Sequence, residues 1–133
     1  MRRIRIALGS NDGVAIVDTH MGDTLSFYIY DLFEDSKSEF VDRRDNPVVD
    51  GEHGKAAKMK TIVALLEDVD VLAAKTISPN FRRIAEGTKH QPVIVDSDSI
   101  DDALARLHAA FDEILVLSER RAGGERFSTI PEI

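Results

Sequence analysis

A chain of 133 residues, 43% hydrophobic and 31% charged, suffices for one domain with its own core, and a formal net charge of −7 disfavours a phosphate-backbone binder or an anionic membrane surface. It has no cysteine, no tryptophan and only 6% aromatic residues, which removes disulfides, thiolate nucleophiles, cysteine-framed zinc or iron–sulfur sites and a base-stacking platform. No apolar run reaches the roughly 20 residues of a membrane helix, and the apolar stretch in MRRIRIALGS is too short for a signal peptide, so a cytoplasmic location is expected.

The chain opens with Ile4, Ile6 and Leu8 alternating with Arg3, Arg5 and Ala7, the period-two pattern of a half-buried strand. It stops at Gly9-Ser10-Asn11-Asp12-Gly13, a dense turn signal. Leu25–Leu32 and Ser38–Arg44 read as two further strands joined by a short polar turn, which makes an antiparallel hairpin. After Asn46-Pro47 and Asp50-Gly51 the period changes: Ala56, Met59, Ile62, Val63 and Leu66 recur at helical spacing over about 54–67.

Val69 and Val71–Ala74 form a continuous apolar run, as expected of a strand covered on both faces. Ser78-Pro79 is a hydroxyl cap before a proline at the first helical position, and Gly87 is expected to end that helix in a left-handed conformation. Pro92–Val95 reads as a last strand. Asp96-Ser97-Asp98-Ser99 then caps one long helix, Ile100 to about Ser118, whose stripe is Ile100, Ala103, Leu104, Leu107, Phe111, Ile114 and Leu115. Residues 1–118 make the expected domain, and 119–133 a C-terminal tail.

Three antiparallel strands followed by alternating helices and strands imply an α/β fold. Its mixed five-stranded sheet carries helices on its faces. Right-handed crossovers set the fourth strand beside the first, giving the sheet order 3-2-1-4-5 of the ribonuclease H-like type. Nucleases of that type need a carboxylate in the middle of the first strand, and Ile4–Leu8 carries none. Ser10, Ser78 and Ser118 have no nucleophile elbow, and no phosphate-binding glycine loop occurs. No enzyme is expected.

The chemistry left falls to the histidines His20, His53, His90 and His108. His20 sits in a loop ahead of a strand, with imidazole nitrogen free to bind metal. His53 lies in Gly51-Glu52-His53-Gly54-Lys55 at a helix N-terminus, where backbone N–H groups and Lys55, Lys58 and Lys60 favour an anion. The ordinary alternatives are a solvated loop histidine and a solvated helix face. His90 reads as a turn residue, His108 as helix surface or core edge, and Met21 and Met59 as packing residues whose sulfur suits a soft metal.

Several segments in order resemble the dinitrogenase iron–molybdenum cofactor-biosynthesis family, which includes NifX-type carriers and the C-terminal domain of NifB. They are the Ile4–Ala7 strand with Ser10, His20-Met21-Gly22, Phe27-Tyr28-Ile29-Tyr30-Asp31, Asn46-Pro47, Asp68-Val69-Asp70-Val71 and Ile77-Ser78-Pro79-Asn80. The family's loop reads His-Phe-Gly, so Met21 stands in the phenylalanine's place. The resemblance spans about Arg3 to Leu117 and implies the same ribonuclease H-like fold.

It further implies a non-catalytic nitrogen-fixation protein that carries an iron–molybdenum or iron–sulfur cluster, with His20 as leading ligand beside Met21 and Gly22. His53 and Lys55 are candidates on their chemistry. The implied partners are cluster-assembly or nitrogenase maturation proteins. Without cysteine, thiolate anchoring of a cluster is unavailable. A different reading is a cofactor-free interaction module that docks a cluster-assembly ATPase through the long helix or a detached tail, Glu125–Ile133.

Overall fold

The computed structural model describes residues 2–18, 23–47 and 55–133, with side chains in the last range from Met59 onward. Its elements are β1 (Arg3–Ser10), β2 (Ser26–Phe33), β3 (Ser38–Asp45), α1 (Lys55–Leu65), β4 (Val71–Ala74), α2 (Pro79–Gly87), β5 (Gln91–Ile94), α3 (Ile100–Ala109) and α4 (Phe111–Ala122). The sheet order is β3-β2-β1-β4-β5, the order that the succession of elements predicts.

β1 pairs antiparallel with β2 (Ile6 opposite Tyr30) and parallel with β4 (Ala7 opposite Leu72). A strand so placed has helices over both faces, so β1 is covered more fully than its alternation suggests. Ile4, Ile6 and Leu8 point into one apolar cluster with α3 and α4, and Ala7 points into a second with α1 and α2. Burial of each such branched side chain contributes about 1.5–3 kcal/mol, so the two half-cores hold the helices to the sheet. The β2–β3 turn closes with Phe33 N–H donating to Lys37 O at 2.9 Å and with Ser36 at φ 71°.

Three expectations are corrected. The predicted long helix is two, because Ala110 leaves helical geometry at φ −104°, ψ 16°. Its stripe nevertheless stays in one cluster, with Leu104 and Leu107 of α3 beside Phe111, Ile114 and Leu115 of α4. Gly87 is not left-handed. Thr88 ends α2 in an extended conformation, its N–H and its hydroxyl both donating to Ile84 O, at 3.0 and 2.8 Å.

The segment expected as a detached tail lies along β5. Ile94 N–H donates to Pro131 O (2.8 Å), Ile133 N–H to Ile94 O (2.9 Å) and Asp96 N–H to Ile133 O (3.0 Å). Its clamp is Arg121, fully buried on α4. The guanidinium donates to Gln91 Oε1 (2.7 Å), Ala85 O (2.6 Å), Thr88 O (3.2 Å) and Phe127 O (3.0 Å) and lies 4.1 Å from the Phe127 ring centroid. Burial, with Arg126 and Arg120 nearby, pushes its pKa down to about 10.

Candidate functional site at one sheet edge

β1, β3, β4 and β5 all finish at the same edge, where β2 begins: Ser10 stands opposite Ser26, and Ser26 opposite Asp45. α2 and α3 start there too, since each follows a strand that ends there. In open α/β sheets this side of the parallel strands is where ligands sit, and helix N-termini add positive potential.

The turn leaving β1 is locked by its own side chains. Ser10 Oγ donates to Ala15 O at 2.5 Å and accepts from Gly13 N–H at 2.9 Å. Asp12 Oδ1 accepts from Val14 and Ala15 N–H, both at 2.9 Å, and these bonds hold its carboxyl below the usual range. Gly13 takes φ 81°, and a Cβ there would meet the Tyr28 ring at 3.0 Å, so only glycine fits.

The described residues flanking 19–22 are tied to the end of β1. Val17 N–H donates to Gly9 O at 3.1 Å, and the Thr24 hydroxyl lies 3.1 Å from Ser10 O. A Cβ on Gly9 would stand 3.1 Å from Thr24 Cβ and 3.2 Å from Val17 Cγ2, so glycine allows this close approach. Asn46 joins β3 to the same place, its Nδ2 donating to Thr24 O at 2.9 Å. The Asn46-Pro47 pair thus has a structural role at this edge.

Beside this turn lies a cleft of about 410 Å³, lined by Asn11, Asp12, Ala15, Ile16, Val17, Asp18, Lys75 and Asp98. Lys75 comes directly after β4 and pairs with Asp98, which raises its pKa; Asp18 and Asp96 act the same way. Residues 14–16 are stitched to the start of α3 by Ile16 N–H donating to Asp98 O and Ile100 N–H to Val14 O, each 2.9 Å.

His20, Met21, Gly22 and His53 lie outside the described residues, as does the Lys55 side chain, although Lys55 itself opens α1. The other two histidines are placed away from the cleft. His90, expected in a turn, is fully buried just before β5. Its Nδ1–H donates to Val69 O at 2.7 Å, its Nε2 has no partner among the described residues, and burial lowers its pKa. His108 Nε2 is 3.1 Å from Lys37 O on the α3 surface.

Asp70 accepts from Arg5 N–H at 2.9 Å, a strand-end role. Among the described residues no three His, Asp or Glu side chains are grouped to hold a metal ion, and no helix is long and apolar enough to cross a membrane. Lys75 and Asp98 were not singled out by sequence, although Lys75's place at the end of a buried parallel strand was the available signal.

A comparison with curated proteins finds none that matches this chain. The family model described as dinitrogenase iron-molybdenum cofactor matches residues 2–110, which span all five strands, the turn after β1, the cleft and α3. The chain belongs to the dinitrogenase iron-molybdenum cofactor family.

Proposed function

We propose that the protein is a non-catalytic binder and carrier of an iron–molybdenum or iron–sulfur type cluster, serving nitrogenase cofactor biosynthesis in the cytoplasm. The observation that carries this reading is the family match over residues 2–110. The support from the edge geometry is limited to the helix N-termini that begin there, since the one cation among the described residues of the cleft, Lys75, faces Asp12, Asp18 and its partner Asp98.

The donor set is that of a weak holder. No thiolate is present, and the described residues form no metal-binding group. The family resemblance makes the His20 imidazole the leading ligand, with Met21 and Gly22 next to it in sequence, and chemistry adds His53 and Lys55 as further contacts. One neutral imidazole without thiolates gives a bond that exchanges readily, which a carrier that passes its cargo to maturation proteins requires.

Anaerobic titration of the purified chain with isolated iron–molybdenum cofactor, and separately with a [4Fe–4S] donor, tests this by visible absorption and electron paramagnetic resonance. Saturable binding is expected, weakened about tenfold or more in His20→Ala and less in His53→Ala. No saturable binding by the native chain overturns the carrier reading. Unchanged binding in His20→Ala overturns the role of that histidine.

A further inference from the structure

The two edges of the sheet are finished differently. At β5 the C-terminal segment contributes its own backbone bonds through Pro131 and Ile133. At β3 no described strand pairs with the outer side, and every residue except Arg44 is exposed.

The direction of the β3 backbone groups follows from the two ends of its ladder. Asn46 N–H donates to Leu25 O, and Phe33 N–H donates to Lys37 O. Antiparallel pairs alternate between hydrogen-bonded and free, so counting inward from either end leaves Ser38, Phe40, Arg43 and Asp45 turned away from β2. Phe40 and Arg43 are an odd number apart, and both face outward because the register shifts between them, where Ile29 pairs with Asp42 and Tyr30 with Phe40.

Phe40 is 56% exposed. It sits against Tyr30 at 5.4 Å and Tyr28 at 6.3 Å between ring centroids, so an aromatic patch borders an open row of backbone donors and acceptors.

We propose that β3 is a homodimer interface, pairing antiparallel with β3 of a second copy in the register that sets Phe40 opposite the second copy's Arg43. Ser38 then faces Asp45, and Glu39 faces Arg44. All four outward residues meet outward residues, so the backbone ladder is complete under a two-fold axis. The side chains agree with the backbone. Each Arg43 guanidinium lies over a Phe40 ring and each Ser38 hydroxyl meets an Asp45 carboxylate.

Charges on an edge strand ordinarily repel another strand; here the antiparallel register sets Arg43 opposite Phe40 and Asp45 opposite Ser38, so no two like charges face each other at these positions. The result is one ten-stranded sheet, and the cleft, which lies beyond the ends of β1 and β4 and away from β3, is left open in each copy.

Sedimentation equilibrium of the full chain tests the assignment, together with two single variants and their combination. The native chain is expected to dimerise. Phe40→Arg sets arginine against Arg43, and Arg43→Glu removes the cation; each change occurs twice per dimer and is expected to weaken association about 30-fold. The double variant Phe40→Arg/Arg43→Glu replaces the pair by an ion pair and is expected to recover most of the loss. Hydrogen exchange of the Phe40 and Arg43 amides should slow as the native concentration rises. A native chain that stays monomeric, with these amides unprotected at all concentrations, overturns the proposal, as does a dimer indifferent to both single variants.

Discussion

Arg5 and Asp31 are joined across the β1–β2 ladder, the Arg5 Nε donating to Asp31 Oδ1 at 2.8 Å and Nη2 to Oδ2 at 3.1 Å. This fork fills the middle of the central strand, the position where a nuclease of similar topology would carry an acid. Arg5 also donates to Asp68, which Arg44 grips from β3 at 2.6 and 2.8 Å. The network raises the Arg5 pKa and holds the Asp68 carboxyl far below the usual range.

Asp31 is therefore expected to be structural. Its side chain is 7% exposed, so Asp31→Ala leaves a shielded guanidinium with only Asp68. The loss should be about 2 kcal/mol, below the value for a fully buried pair because Asp68 remains. Urea denaturation of the variant checks this. An unchanged midpoint would show that the pair contributes nothing.

His90 makes stability depend on pH. Burial chiefly, with Lys89 nearby, lowers its folded pKa below the ordinary 6.5, while the Val69 carbonyl, Glu67 and Asp70 oppose that. Above about pH 7 both states are neutral and His90 has no effect. As pH falls through 6.5 the unfolded chain takes up a proton that the folded chain refuses, so stability drops, at most by about 1.4 kcal/mol per pH unit for one proton. The drop ends once folded His90 protonates. Denaturation of His90→Gln between pH 5 and 8 should give a flatter profile than the native chain.

Arg121 fixes the C-terminal segment. Lysine at this position cannot reach Gln91, Ala85, Thr88 and Phe127 together, so Arg121→Lys strands several carbonyls and should cost about 2–3 kcal/mol. Amide exchange at Ile94, Asp96 and Ile133 should quicken in the same variant. Native-like protection there would mean that the segment is held without the guanidinium.

Lys75 is expected to assist cargo. On the carrier reading, Lys75→Gln should weaken binding of the anionic cluster about threefold to fivefold at low salt, with the difference shrinking as salt is added. The comparison is Lys37→Gln, which removes an exposed lysine of the β2–β3 turn and should bind within twofold of native. Equal effects from both would reduce Lys75 to a contributor of net charge.

Much of the fold was legible from local pattern. The alternation at Ile4–Leu8, the apolar run at Val71–Ala74 and the Ser78-Pro79 cap each act over a few residues, and crossover handedness then sets the strand order. The Ser10–Gly13 turn was legible for the same reason, its bonds being made within six residues.

The break at Ala110 was not, since no glycine or proline marks it and the apolar stripe runs through. Neither was Arg121, because a charged side chain reads as surface until carbonyls from β5, the end of α2 and residue 127 are brought around it. The cleft pair is of the same kind. Lys75 and Asp98 are 23 residues apart and meet only because β4 and β5 run parallel and end together.

By itself, then, the sequence determined the five strands, the first two helices, their order, the cysteine-free donor set and the family, because composition, periodicity and motif are local properties. Tertiary structure alone decided which charges are shielded, and that the last residues cover the β5 edge and not the β3 edge. Those outcomes depend on which distant backbone groups find one another, and no local pattern encodes that.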